Sequence, residues 1–174
     1  MANFLNINKL NDDPSYRYKM PDIKIRKAGK GNGSYTFIDN ISEIAEAINT
    51  PEIIILSFIS KSIGSSFNIE KRTLTGHYEK DQILGELYKF IDFFVLCPTC
   101  SIPEVIPSYE GSKKKGNLYV TCSACGNKNI LDSTKKIYSK TIDAIIKYLQ
   151  TNEYSIKKGN MITQNKETDL FNPF

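Results

Sequence analysis

The sequence predicts an α+β protein in which a small mixed α/β domain is followed by a four-cysteine ribbon and a short C-terminal helix. Three observations carry that expectation. Strand-like runs and helical stripes alternate over residues 16–95, two Cys-x-x-Cys pairs follow, and a final apolar stripe at helical spacing comes after them. A length of 174 residues with 40% hydrophobic content suffices for one compact unit or two small ones. No apolar run approaches the roughly 20 residues needed to cross a bilayer, and residues 1–9 lack the basic start and hydrophobic stretch of a signal peptide. The expectation is a soluble, cytoplasmic, monomeric protein with no membrane partner. The net charge of +4 and pI of about 8.7 favour a polyanionic partner only weakly, so the placement of the charge matters more than its sum.

Residues 1–15 are polar, rich in Asn and Asp and interrupted by Pro14, and read as a flexible leader. The α/β domain is expected over 16–95. It opens with a hairpin of residues 23–28 and 34–38 around Gly29-Lys30-Gly31-Asn32-Gly33, where Asn-Gly between extended runs signals a turn. Ile41, Ile44, Ala45 and Ile48 form the stripe of an amphipathic helix, which Asn40 or Ser42 can cap and Asn49-Thr50-Pro51 ends. A second helix follows with Thr50 as cap and Pro51 in its first turn, running to Gly64, although Ile53-Ile54-Ile55 suits a strand equally. Residues 67–70 and 73–77 read as a second hairpin. Ile83, Leu84, Leu87, Ile91 and Phe94 mark a helix leading into the first cysteine pair. The ribbon is expected over 96–135, with 109–117 as its Gly- and Lys-rich turn and 118–121 as a strand. Ile142, Ile145, Ile146 and Leu149 place a helix over 136–150, and 151–174 read as a disordered tail.

Cys97-Pro-Thr-Cys100 and Cys122-Ser-Ala-Cys125 are separated by residues 101–121, close to the spacing of four-cysteine zinc ribbons. Four thiolates complete a tetrahedral shell and leave no open position, so one Zn2+ here is structural and not catalytic. Neither pair opens a helix after a strand, which argues against a redox pair. His77 is the only histidine, has no acid, Ser or Cys placed to form a triad with it, and reads as a surface residue. The glycine loop lacks the G-x-x-x-x-G-K-[ST] pattern and joins two strands, so the chain hydrolyses no nucleotide itself. Lys24, Arg26, Lys27 and Lys30 cluster at that hairpin, where Gly31 and Gly33 let a phosphate chain approach; an RNA-contacting finger and a solvated turn are both compatible. Lys113-Lys114-Lys115 reads as a solvated loop. In Tyr16-Arg17-Tyr18-Lys19-Met20-Pro21, an arginine stands between two aromatics ahead of a proline that keeps the chain extended, and it can pair with a phosphate or pack on the domain.

Together with Phe94-Val95-Leu96-Cys97-Pro98-Thr99-Cys100 and Cys122-Ser-Ala-Cys125-Gly126, the Tyr16 to Pro21 and Gly29 to Gly33 motifs resemble the N-terminal region of eukaryotic translation initiation factor five. The resemblance runs from Tyr16 to Asp132 in order and separation. The related beta subunit of initiation factor two shares the domain and ribbon but usually lacks the first two motifs. The resemblance implies a GTPase-activating role, in which Arg17 would stimulate GTP hydrolysis by initiation factor two, meeting its gamma and beta subunits. It also implies binding to the small ribosomal subunit near the start codon of the mRNA and the initiator tRNA, with Arg26, Lys30, Gly31, Asn32 and Gly33 carrying that contact. Two departures accompany it. Tyr35 and Ser57 stand where the family has lysines linked to GTPase activation, and residues 133–174 are too few for the family's helical-repeat domain. These departures keep a second reading open, a ribosome-binding module or decoy that stabilises start-codon recognition without activating a GTPase. A third, replacement of the beta subunit on the gamma subunit, fits the N-terminal motif less well.

Overall fold

The computed structural model describes residues 3–112 and 115–151, with no side-chain description for Lys115. The expected tail and the Lys113-Lys114-Lys115 cluster therefore lie outside the described residues, apart from Thr151 and the Lys115 backbone.

Among the described residues, the segment expected to be a flexible leader contains a strand. β1 (Phe4–Asn6) pairs antiparallel with β2 (Lys19–Pro21), bringing Leu5 opposite Met20. The apolar residues decide this, since Ile7 and Met20 are fully buried. The Asn and Asp residues between them form a series of tight turns: Asn8 Oδ1 accepts from the Leu10 N–H, Asn11 Oδ1 from Asp13 and Asp13 Oδ1 from Ser15. The composition that suggests disorder supplies turn chemistry here.

A four-stranded antiparallel sheet follows in the order β3-β4-β6-β5, built from β3 (Ile25–Ala28), β4 (Tyr35–Ile38), β5 (Phe67–Asn68) and β6 (Thr73–Thr75). Both expected hairpins are present. α1 (Ile41–Ala47) and α2 (Glu52–Ser62) separate them. The Ile53-Ile54-Ile55 run is helical because α2 is buried on several sides at once: Ile54, Ile55, Leu56, Phe58 and Ile59 all face protein, with α1, α3 and α4 as neighbours. α2 starts one residue later than the sequence suggests, with Pro51 extended at the cap and the Thr50 hydroxyl turned back to the Ile48 carbonyl at 3.2 Å.

α3 (Lys80–Phe90) runs into a π-helical turn over Ile91–Val95. The wider turn brings Phe90 and Phe94 into a stack at 5.0 Å and sets Phe93 against Tyr138 at 4.5 Å, with Phe58 beside them. This aromatic cluster delivers the chain into the first cysteine pair.

The ribbon is a three-stranded antiparallel sheet of β7 (Val105–Ser112), β8 (Lys115–Cys122) and β9 (Lys128–Leu131). Its first hairpin is longer than expected, since residues 109–112 and 115–117 pair as strands and do not form an extended turn. α4 (Lys136–Gln150) lies against this sheet and against α2. Ile142, Ile145 and Ile146 of α4 join Leu118, Val120 and Leu131 of the ribbon in one buried cluster with the α/β core. The ribbon thus borrows a core that it is too small to build alone.

Candidate metal centre and arginine segment

The two Cys-x-x-Cys turns are built alike. In the first, the Ser101 N–H donates to the Cys97 carbonyl at 2.8 Å and the Cys97 N–H to the Ile102 carbonyl at 3.0 Å. In the second, Gly126 donates to Cys122 at 2.8 Å and Cys122 to Asn127 at 3.0 Å. Each turn closes on a left-handed residue just after its second cysteine: Ser101 at φ 58° and Gly126 at φ 74°. Two such knuckles facing each other gather the four sulfurs. Cys97 and Cys125 Sγ stand 3.8 Å apart, Cys100 and Cys122 Sγ 3.6 Å, and all four lie within 4.8 Å of one another.

These separations fit one tetrahedral metal ion. With metal–sulfur bonds of about 2.3 Å, the edge of a tetrahedron is about 3.8 Å. The chain also donates to the sulfurs, as thiolate ligands require: the Thr99 N–H reaches Cys97 Sγ at 3.4 Å and Asn127 Nδ2 reaches Cys125 Sγ at 3.4 Å. Cys97 and Cys122 are buried, Cys100 is half-buried and Cys125 is exposed. The donor set suits a soft divalent ion and leaves no position for a water, so such an ion would hold the ribbon together and activate nothing.

Arg17 lies on the residues entering β2, one position before a tyrosine that reaches toward this centre. It is exposed, and among the described residues its guanidinium forms no ion pair; it lies over the Tyr18 ring at 5.6 Å. Tyr16 meets the Tyr18 ring edge-on at 5.6 Å. The Tyr18 carbonyl accepts the Ile7 N–H at 3.0 Å, and its hydroxyl donates to the Glu104 carboxylate just before β7. That bond pushes the Tyr18 phenol up to about 12. The guanidinium therefore rests on the Tyr18 ring without an ion pair among the described residues, and the segment that carries it is held at its base.

In the glycine loop, Gly31–Gly33 form one turn of 3-10 helix between β3 and β4. The basic residues around it differ in availability. Arg26 is committed within the chain, pairing with Asp39 at 3.0 Å and covering the Phe37 ring at 4.5 Å. Lys27 pairs with Glu79. Lys24 and Lys30 are exposed and form no ion pair among the described residues. His77 is exposed beside this loop, with Nε2 3.0 Å from the Ala28 carbonyl oxygen.

Residues 8–128, which contain Arg17, the loop and all four cysteines, match the family model for a domain found in initiation factors 2B and 5. Eukaryotic translation initiation factor 5 of Caenorhabditis elegans is 34% identical over 137 residues, 76% of this chain and 30% of the relative. The Saccharomyces cerevisiae protein of the same name is 33% identical over 139 residues, covering 78% and 34%. The Mus musculus protein is 32% identical over 137 residues, covering 76% and 32%. The chain belongs to this initiation factor 5 family. It spans about a third of the length of these relatives.

Within this family member, Tyr35 is exposed at the start of β4, and Ser57 is half-buried on α2, facing a groove of about 320 Å3 shared with α4. Sequence reasoning misses Glu104 and Asp39, because neither belongs to a motif and each gains its role from a residue that only folding brings near. It also singles out Gly31 and Gly33 in the loop, whereas the glycine that the structure leaves no room to replace is Gly29. A Cβ on Gly29, at φ 78°, would lie 1.8 Å from the Gly33 carbonyl oxygen, whereas one on Gly33 would meet nothing within 4 Å. Gly29→Ala is expected to destabilise the protein by about 3 kcal/mol and Gly33→Ala by less than about 0.5 kcal/mol. Urea denaturation of the two variants measures the difference; equal midpoints would contradict the loop geometry.

Proposed function

We propose that this chain is a translation initiation factor that binds the small ribosomal subunit in the cytoplasm, next to the start codon and initiator tRNA, and offers Arg17 to the GTP held by initiation factor two. The observation that carries the reading is the state of Arg17: an exposed guanidinium without an ion pair among the described residues, on a backbone fixed by β1 and by Tyr18. An arginine presented in this way can enter a partner's site and neutralise charge developing on the transferring phosphoryl group, which positioning and electrostatics alone can accelerate. The four-cysteine centre, with Zn2+ as its ion, supplies rigidity and no chemistry. Lys30 and the turn of Gly31, Asn32 and Gly33 meet the RNA backbone, with Arg26 contributing less because Asp39 already holds it.

Binding tests the first half of this reading. Co-sedimentation of the protein with small subunits over a range of salt concentrations should give affinity that falls as salt rises, with Lys30→Ala reducing the logarithmic slope by about one unit and Arg26→Ala reducing it less. An affinity indifferent to salt and to Lys30 would rule out the loop as the RNA contact. Tyr35 and Ser57 support the second reading, in which the chain binds at the same place and stabilises start-codon recognition without accelerating hydrolysis.

A further inference from the structure

Glu104 stands between the two halves of the site and contacts both. Its main-chain carbonyl accepts the Ser123 N–H at 2.9 Å, and Ser123 lies inside the second cysteine knuckle. Val105, the next residue, pairs with Cys122 in the sheet. The Glu104 carboxylate accepts the hydroxyl of Tyr18, whose ring lies under the Arg17 guanidinium. A continuous path therefore runs from the knuckle through Ser123, Glu104 and Tyr18 to the arginine. Tyr16 offers no parallel route, since its hydroxyl is buried without a hydrogen-bond partner. A phenol donating to a carboxylate forms a charge-assisted, directional bond, so it fixes the ring as well as attracting it.

We propose that Glu104 is a positioning residue that ties the metal knuckle to the arginine segment, so that a loaded four-cysteine centre fixes where Arg17 points. Loss of the ion would then loosen Arg17 while the α/β core stays folded. The functional importance of this coupling rests on the role given to Arg17 above, but the coupling itself can be measured without a GTPase.

Amide hydrogen exchange followed by mass spectrometry, on the full chain loaded with Zn2+ or stripped by a chelator, provides the test. In the loaded protein, Tyr18→Phe and Glu104→Ala should each speed exchange in residues 7–21 by about tenfold, the loss expected for one hydrogen bond to a charged group. Exchange in α2 should stay as in wild type, and Glu104→Gln, which keeps an acceptor oxygen, should restore most of the protection. Stripping the ion should speed exchange in residues 7–21 of wild type and add little in Tyr18→Phe, because the path is already cut. Wild-type exchange in the loaded Tyr18→Phe variant, or an equal further rise when that variant is stripped, would overturn the proposal. Either result leaves the role of Arg17 in hydrolysis to be decided by rate measurements. A clear exchange response with no effect of Arg17 on hydrolysis would count against that role alone.

Discussion

Removing the ion from the four-cysteine centre is expected to collapse the ribbon and free α4 from it. Four thiolates within 4.8 Å of one another repel once the ion is gone, and protonating them leaves a small sheet with little core of its own. The binding free energy of structural zinc centres, on the order of 10 kcal/mol or more, is folding free energy in such sites. Here the loss spreads, because Leu118, Val120 and Leu131 of the ribbon are buried with Ile142, Ile145 and Ile146 of α4. Treatment with a strong chelator should release one equivalent of a divalent metal ion, remove the strand signal of β7 to β9 from the circular dichroism and expose α4 to protease. Cys122→Ser should reproduce this without a chelator, since Cys122 is buried and opens the second knuckle. A chelated protein that keeps its spectrum and its protease resistance would show that the cysteines do not hold the fold.

Arg17→Ala is expected to lower the stimulated rate of GTP hydrolysis by about a thousandfold or more, the range over which arginine fingers act. Its binding to small subunits should be unchanged, because the exposed guanidinium forms no ion pair among the described residues whose loss would disturb the fold. Arg17→Lys should recover only a small part of the rate. It keeps the charge, but an ammonium cannot reproduce the planar fork that spans two phosphoryl oxygens, and it loses the guanidinium's packing over Tyr18 at 5.6 Å. Single-turnover kinetics on complexes saturated with each variant separate these cases. A rate for Arg17→Ala equal to that of wild type would remove the arginine from the mechanism.

What the sequence makes legible is what short segments encode. The knuckles follow from cysteine spacing alone, α1 and α3 follow from local periodicity, and the first hairpin follows from the glycine-rich break between two strand-like runs, although its left-handed residues are Gly29 and Gly31 while Asn32-Gly33 lies in a 3-10 turn. What it leaves hidden depends on partners far along the chain. β1 exists because Leu5 and Ile7 find β2 and the core, and the polar residues around them give no hint of that pairing. Arg26 looks free in the sequence and is held by Asp39 in the fold. Glu104 sits 86 residues from Tyr18, so no local pattern reveals their bond. The Ile53-Ile54-Ile55 run is ambiguous for a related reason: β-branched residues suit a strand, and only burial among α1, α3 and α4 makes the helix the better solution. Motif resemblance fills part of this gap by pointing to Arg17, but what holds Arg17 in place comes from the structure.

On the proposed function, this chain accelerates GTP hydrolysis by a partner to which it contributes Arg17. The most direct measurement is a single turnover of GTP on reconstituted small-subunit complexes carrying initiation factor two and initiator tRNA, with and without saturating wild-type protein. The wild-type protein should accelerate hydrolysis by about a thousandfold or more, and Arg17→Ala should abolish the acceleration. Saturated binding with no acceleration would contradict it, and would leave a ribosome-binding module in which Tyr35 and Ser57 mark the loss of the activity.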